Sequence, residues 1–299
     1  RQDFMIAQAL MNSPYKSNDK NHNTMLELAI ARIRQLSAHE IGHTLGFAHN
    51  FASSTNSRAS VMDYPHPQIK LTNNKIDLSD AYAKDIGAWD KYVVAYGYSD
   101  FGKASNKNKE KDLLQVLIAD MEKQNLDYIS DPDARPRSGG HSTAHLWDNG
   151  DNAVEELSNV LKVRARALAD FGINSVPFGT PLSEIEKTLV PIYNFHRYQV
   201  EAAVKLVAGV NYRYEVRDGN TVDGVSSVDA AIQHQALKAV INTLQTDVLT
   251  LPETLLRLMP PKAYGYSRNR ESFSSNTGVA FDPITAAEAS AKHTLTLLL

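Results

Sequence analysis

Residues 39–49 read His-Glu-Ile-Gly-His-Thr-Leu-Gly-Phe-Ala-His, and no other feature limits the local fold as much. His39 and His43 are four apart, so on a helix their imidazoles rise from one face and can share one metal ion. Glu40, rotated by one residue, can reach a water on that ion. Gly46 comes one turn later, where a glycine can take a left-handed conformation, end the helix and swing the chain back. That bend brings in His49 as a third nitrogen. Three neutral imidazoles leave the fourth position of a tetrahedral Zn2+ open to water, which is a catalytic rather than a structural arrangement. The long pattern H-E-x-x-H-x-x-G-x-x-H would arise by chance on the order of a few times in 100,000 such chains. A buried helix with merely satisfied core histidines leaves the Glu, the Gly and the third His unexplained.

Composition removes several other function classes. Lys+Arg 31 against Asp+Glu 34 gives a net charge of −3, so no strong field favours nucleic acid or an anionic membrane. Hydrophobic residues make up 42% of the 299, enough for a sizeable core. No apolar run approaches the ~18 residues of a transmembrane segment. The chain has no cysteine, which excludes a disulfide framework, a thiol nucleophile and a Cys-ligated metal. No Gly-rich phosphate loop and no G-x-S-x-G elbow is present.

Elsewhere the pattern is mainly α, α+β at most. Residues 1–22 are polar and broken by Ser13-Pro14 and the run Ser17–Asn21. Thr24 and Glu27 read as a capping box opening a helix to about Gly46, apolar on more than one face and so expected to be buried. Residues 50–75 read as loop. Helices are expected near 78–97, 110–124, 152–171, 182–208, 227–248 and 283–298, with turn-rich stretches at 129–151 and 217–226. The best strand candidate is Asn211–Val216.

A second element follows the histidines: Ser60-Val61-Met62-Asp63-Tyr64. Together with the long histidine pattern it resembles the metzincin zinc endopeptidases, in which a tight turn sets a methionine beneath the metal. The S-x-M-x-Y form looks like that of astacins and serralysins. The resemblance implies that Met62 is the hydrophobic floor under the imidazoles. It implies that Tyr64 is a phenol able to ligate zinc at rest and to hold the oxyanion during reaction. His39–Ser54, with Asn50-Phe51 after the third His, is similar to a family of large bacterial metzincin proteases with a long helical C-terminal region. Leu146–Gly150 and Phe281-Asp282-Pro283 look like that family too, without a catalytic role.

What the resemblance implies is a zinc-dependent metalloendopeptidase. His39, His43 and His49 would be its ligands, Glu40 and Tyr64 its catalytic groups, and Gly46 and Met62 its structural ones. Residues 1–75 would form the zinc-binding segment and 76–299 a helical C-terminal region. A metzincin sheet is expected upstream of the zinc helix, and the 38 residues before His39 are too few to supply it. The chain thus reads as part of a larger precursor, exported to the periplasm or outside a bacterial cell, acting on protein or peptide. The alternatives are a zinc-stabilised non-catalytic binding or scaffold module and a zinc hydrolase of a non-peptide bond. The retained Glu40 argues against the first, since a structural site needs no base.

The remaining histidines read more simply. His66 is a loop residue near the turn, and His196 falls on the apolar stripe of its helix. His141 and His145, with Asp131 and Asp133, fit no standard second metal site. Asp148–Asn152 has calcium-loop composition without the full loop pattern, and reads as a turn plus a helix cap.

Overall fold

A computed structural model describes residues 2–11, 14–15, 20–102, 107–137, 139–217, 224–269 and 271–299. In chain order the helices begin with α1 (Gln2–Leu10) and α2 (Lys20–Thr44), followed by a hairpin of β1 (Lys70–Thr72) and β2 (Lys75–Asp77). Then come α3 (Ala88–Tyr98), α4 (Lys107–Lys123), α5 (Ala153–Asp170), α6 (Ile185–Tyr193) and α7 (Arg197–Val204). A second hairpin, β3 (Val210–Tyr212) with β4 (Val225–Ser227), precedes α8 (Ala230–Asn242), α9 (Thr246–Leu249), α10 (Glu253–Leu256) and α11 (Pro283–Leu298). The architecture is mainly α, and both small sheets are antiparallel pairs.

The N-terminal stretch corrects the sequence reading. Its nine-residue α1 buries Ile6, Ala7, Ala9 and Leu10 against α2 and α6. So short a helix shows too few turns for its period to stand out. Ser13 and 16–19 lie outside the described residues. Helix α2 begins at Lys20, so Thr24 sits inside it and does not open it. Nor is α2 buried all round: Leu26, Ile30, Ile33 and Ile41 are 53%, 45%, 63% and 59% exposed. Periodicity marks a residue as apolar, but not whether a neighbour covers it.

The other boundaries shift for local reasons. Asn73 and Asn74 both take positive φ, 51° and 58°, as the two-residue turn of a tight hairpin requires, so part of the expected 50–75 loop pairs Lys70 with Asp77. The helix expected from 78 starts only at Ala88, where the Asp90 carboxylate accepts from the Gly87 N–H at 2.7 Å. Asn152 caps α5, accepting from Val154 N at 2.9 Å and Glu155 N at 3.2 Å. The expected 182–208 helix divides after Tyr193, two residues past Pro191, which lacks the N–H that a continuous helix needs. Val225–Ser227 pairs with Val210–Tyr212, so the helix expected from 227 starts at Ala230, and 218–223 lie outside the described residues.

The largest core joins α1, the first half of α2, α5 and α6, through Ile6, Leu28, Val163, Ile185, Leu189 and Ile192 among others. Each fully buried Leu or Ile contributes about 1.5–3 kcal/mol. A smaller cluster of Val61, Met62, Trp89 and Leu126 packs with Ala38 and Phe47 at the far end of α2. Phe51, Ala52, Ile129 and Ala144 form another, with Tyr64 against it. The histidine end of α2 therefore rests on two small cores. Among the described residues no helix is long and apolar enough to cross a membrane.

Candidate metal centre

The last turns of α2 carry His39 and His43, and the helix ends at Thr44. Gly46 then takes φ +87°, its N–H bonding to His43 O at 2.9 Å while Phe47 N–H bonds to Gly42 O at 3.0 Å. This left-handed termination returns the chain toward the helix. His49 arrives with its ring centroid 4.8 Å from that of His43 and 5.3 Å from that of His39. One ligand atom from each of the three histidines lies within 4.8 Å of the others.

Each imidazole is tied through Nδ1. His39 Nδ1 is 2.7 Å from Val61 O, His43 Nδ1 is 2.8 Å from Phe47 O, and His49 Nδ1 is 2.8 Å from Asp131 Oδ1. With Nδ1 donating in each case, Nε2 is the lone-pair nitrogen, and a metal ligand needs that lone pair. His39 Nε2 is buried with no hydrogen-bond partner, and the Nε2 atoms of His43 and His49 stand 3.2 Å apart. An orphaned buried nitrogen beside two converging ones is what a bound cation would satisfy. Burial lowers the pKa of His39, which favours the neutral, ligating form.

The turn below is held from two directions. Met62 is fully buried against Gly42, where an added Cβ would lie 2.2 Å from Met62 Sδ. Only glycine allows that approach. Asp90 anchors the turn: its carboxylate accepts from Ser60 Oγ at 2.5 Å and from Val61 N at 2.8 Å. The same Val61 presents its carbonyl to His39. Tyr64 follows, its ring 4.2 Å from that of His39 and 5.1 Å from that of His49. Burial, then the charges of Glu40 and Asp131, raise the Tyr64 pKa, so the phenol stays a donor at neutral pH. Glu40 itself is exposed.

A family model described as Met-zincin matches residues 21–299. The chain belongs to the Met-zincin family. No curated protein and no solved structure matches it. The matched region takes in the histidine run, the methionine turn and every helix from α3 onward.

Of the sequence-singled residues, the structure brings His39, His43, His49, Met62 and Tyr64 together, with Gly46 at the bend. His66 instead packs on Phe195 and Tyr198, with ring centroids at 5.1 and 5.4 Å. His196 is buried, which lowers its pKa to about 3, and it is a core residue. His141 and His145 diverge: His141 Nε2 lies 2.9 Å from Tyr212 O and His145 Nε2 3.2 Å from Glu201 Oε2. Gly42 and Asp90 escaped the sequence reading, and Asp131, weighed there only beside His141 and His145, instead meets His49. Gly42 lay in view inside the motif, but its reason is a side chain 20 positions on.

Proposed function

We propose that this Met-zincin is a zinc-dependent metalloendopeptidase, with Zn2+ held by His39, His43 and His49. The observation that carries the reading is the three Nδ1-tethered imidazoles whose ligand atoms converge beside Glu40 and Tyr64. When bound, zinc supplies Lewis acidity for the scissile carbonyl and lowers the pKa of water toward ~7. Glu40 accepts a proton from the attacking water and returns it to the leaving amine. Tyr64 donates its O–H to the oxygen that gains negative charge. Met62 and Gly46 keep the ligands in register, one from below and one by turning the chain. Residues 1–75 form the metal-binding segment in this reading and 76–299 its support.

The partner is a protein or peptide substrate. We further propose that the upper wall of its cleft comes from upstream sequence of the same precursor, seated on the α2 stripe of Leu26, Ile30, Ile33 and Ile41. Those side chains are 45–63% exposed along α2, the helix that carries His39 and His43. By the same family reading the enzyme works outside the bacterial cytoplasm, which cell fractionation tests directly.

A peptide library incubated with the zinc-loaded protein tests the activity. Zinc-dependent cleavage, stronger when the chain is extended upstream by about 100–200 residues, is expected. Stoichiometric zinc with no peptide cleaved by either form would instead leave a non-catalytic module or a non-peptide hydrolase.

A further inference from the structure

The three imidazoles are not held alike. His39 and His43 lean on the carbonyls of Val61 and Phe47, which are neutral and lie in the same short segment. His49 leans on a carboxylate 82 residues away. We propose that Asp131 is a positioning residue of the metal centre, fixing His49 through Nδ1, and that α7 holds the loop that delivers it. The proposal rests on the metal-site reading above.

The delivering loop is sewn to the histidine segment on one side. Asn50 Nδ2 donates to Asp127 O at 2.9 Å, Phe51 N to Ile129 O at 2.8 Å, and Trp147 N to Tyr64 O at 3.0 Å. On the other side it is bound to α7. Arg135 makes a two-pronged bond to Glu201, at 2.9 and 2.6 Å, and His145 reaches the same carboxylate at 3.2 Å. The ammonium of Lys205, one helical turn on, donates to the carbonyls of Asp133 and Ala144. Glu201, His145 and Lys205 are buried, so the bonds of His145 to Glu201 and of Lys205 to the two carbonyls work in a dry setting where breaking them is costly. Within the loop, Ser130 Oγ donates to Asp131 Oδ2 at 3.1 Å and Ser130 N to the Tyr214 hydroxyl at 3.1 Å. These bonds leave Oδ1 aimed at His49.

The Asp131 side chain is 61% exposed, so water competes for its bond to the metal-free imidazole. A cation on Nε2 makes Nδ1–H a better donor, so bond and cation reinforce each other. The carboxylate also makes His49 a more basic ligand than a carbonyl partner would. Nothing in the local sequence signals this, because Asp131-Pro132-Asp133 forms only a short turn of 3-10 helix.

The test is the zinc dissociation constant, read by competition with a chromophoric chelator, for wild type, Asp131→Asn and Asp131→Ala. Melting of the metal-free forms in EDTA and the visible spectrum with Co2+ are recorded alongside. Asp131→Ala is expected to bind zinc about 10–100-fold more weakly and to alter the cobalt spectrum. Asp131→Asn, which keeps an acceptor but not the charge, should fall between, with metal-free melting unchanged. If both variants bind within about twofold of wild type with the same cobalt spectrum, Asp131 has no positioning role. If wild type binds no zinc, the metal-site reading fails first, and the two failures are thereby told apart.

Discussion

Residues 39–64 and residues 127–148 meet at the same three imidazoles but are built on different principles. The first stretch is self-contained: helix, glycine bend and methionine turn supply the ligands and two of their three tethers, with Val61 and Phe47 carbonyls as acceptors. The second holds no candidate ligand. Its shape comes from an ionic staple on the buried Glu201, held by Arg135 and His145, and from Lys205 on its carbonyls. The difference separates chemistry from aim. In the proposed reading the groups that react lie in one short segment, and the tether of the third imidazole is borrowed from across the chain. Variants of Glu40 and Tyr64 should therefore damage turnover, and those behind the second stretch should act through stability and metal retention.

The largest expected effect tests the first half of that division. Glu40→Ala should keep its zinc and lose peptidase turnover by about 10²–10⁴-fold, because the proton acceptor is gone while the three imidazoles remain. Near-normal turnover would mean that another base acts. Next is Tyr64→Phe, expected to lower kcat about 10–10³-fold with zinc affinity nearly unchanged. A change confined to KM would make Tyr64 a substrate-binding group instead.

How far each stretch could be read in advance follows the same line. A metal demands ligands at fixed spacing on one helix, so His39, His43, the Gly46 bend and His49 show in the sequence as a pattern. The roles given to Met62 and Tyr64 came from a family resemblance, since a lone methionine or tyrosine has no local signature. Asp131 and Asp90 act by contacts 82 and 29 residues distant, and no periodicity encodes such distances. Likewise α1 is too short for its period to stand out, whereas the break after Tyr193 had a local signal in Pro191 that the long apolar stripe masked. The α2 stripe was legible as apolar and misjudged as buried, because burial belongs to the neighbour as much as to the residue.

Smaller effects sharpen the comparison. Gly42→Ala sets a methyl group against Met62 Sδ and should cost about 1–3 kcal/mol of stability, seen as a lower midpoint in urea. An unchanged midpoint would show that the methionine moves aside freely. For the second stretch the handle is pH. Burial opposes ionisation of Glu201, but bonds from His145 and Arg135 prevail and hold its pKa down to about 2. A carboxyl depressed on folding contributes stability above its unfolded pKa of about 4.3, and that contribution is lost as pH falls toward about 2. The gap in melting temperature between wild type and Glu201→Gln should thus be widest above about pH 4.5 and shrink below it. A gap independent of pH would remove the ionic staple from the account.

The central claim is that three histidines of the first stretch form a metal centre, and metal content tests it most directly. Elemental analysis of purified wild type and His43→Ala should find close to one zinc per chain in the former and little in the latter. Equal zinc in the two proteins would contradict it.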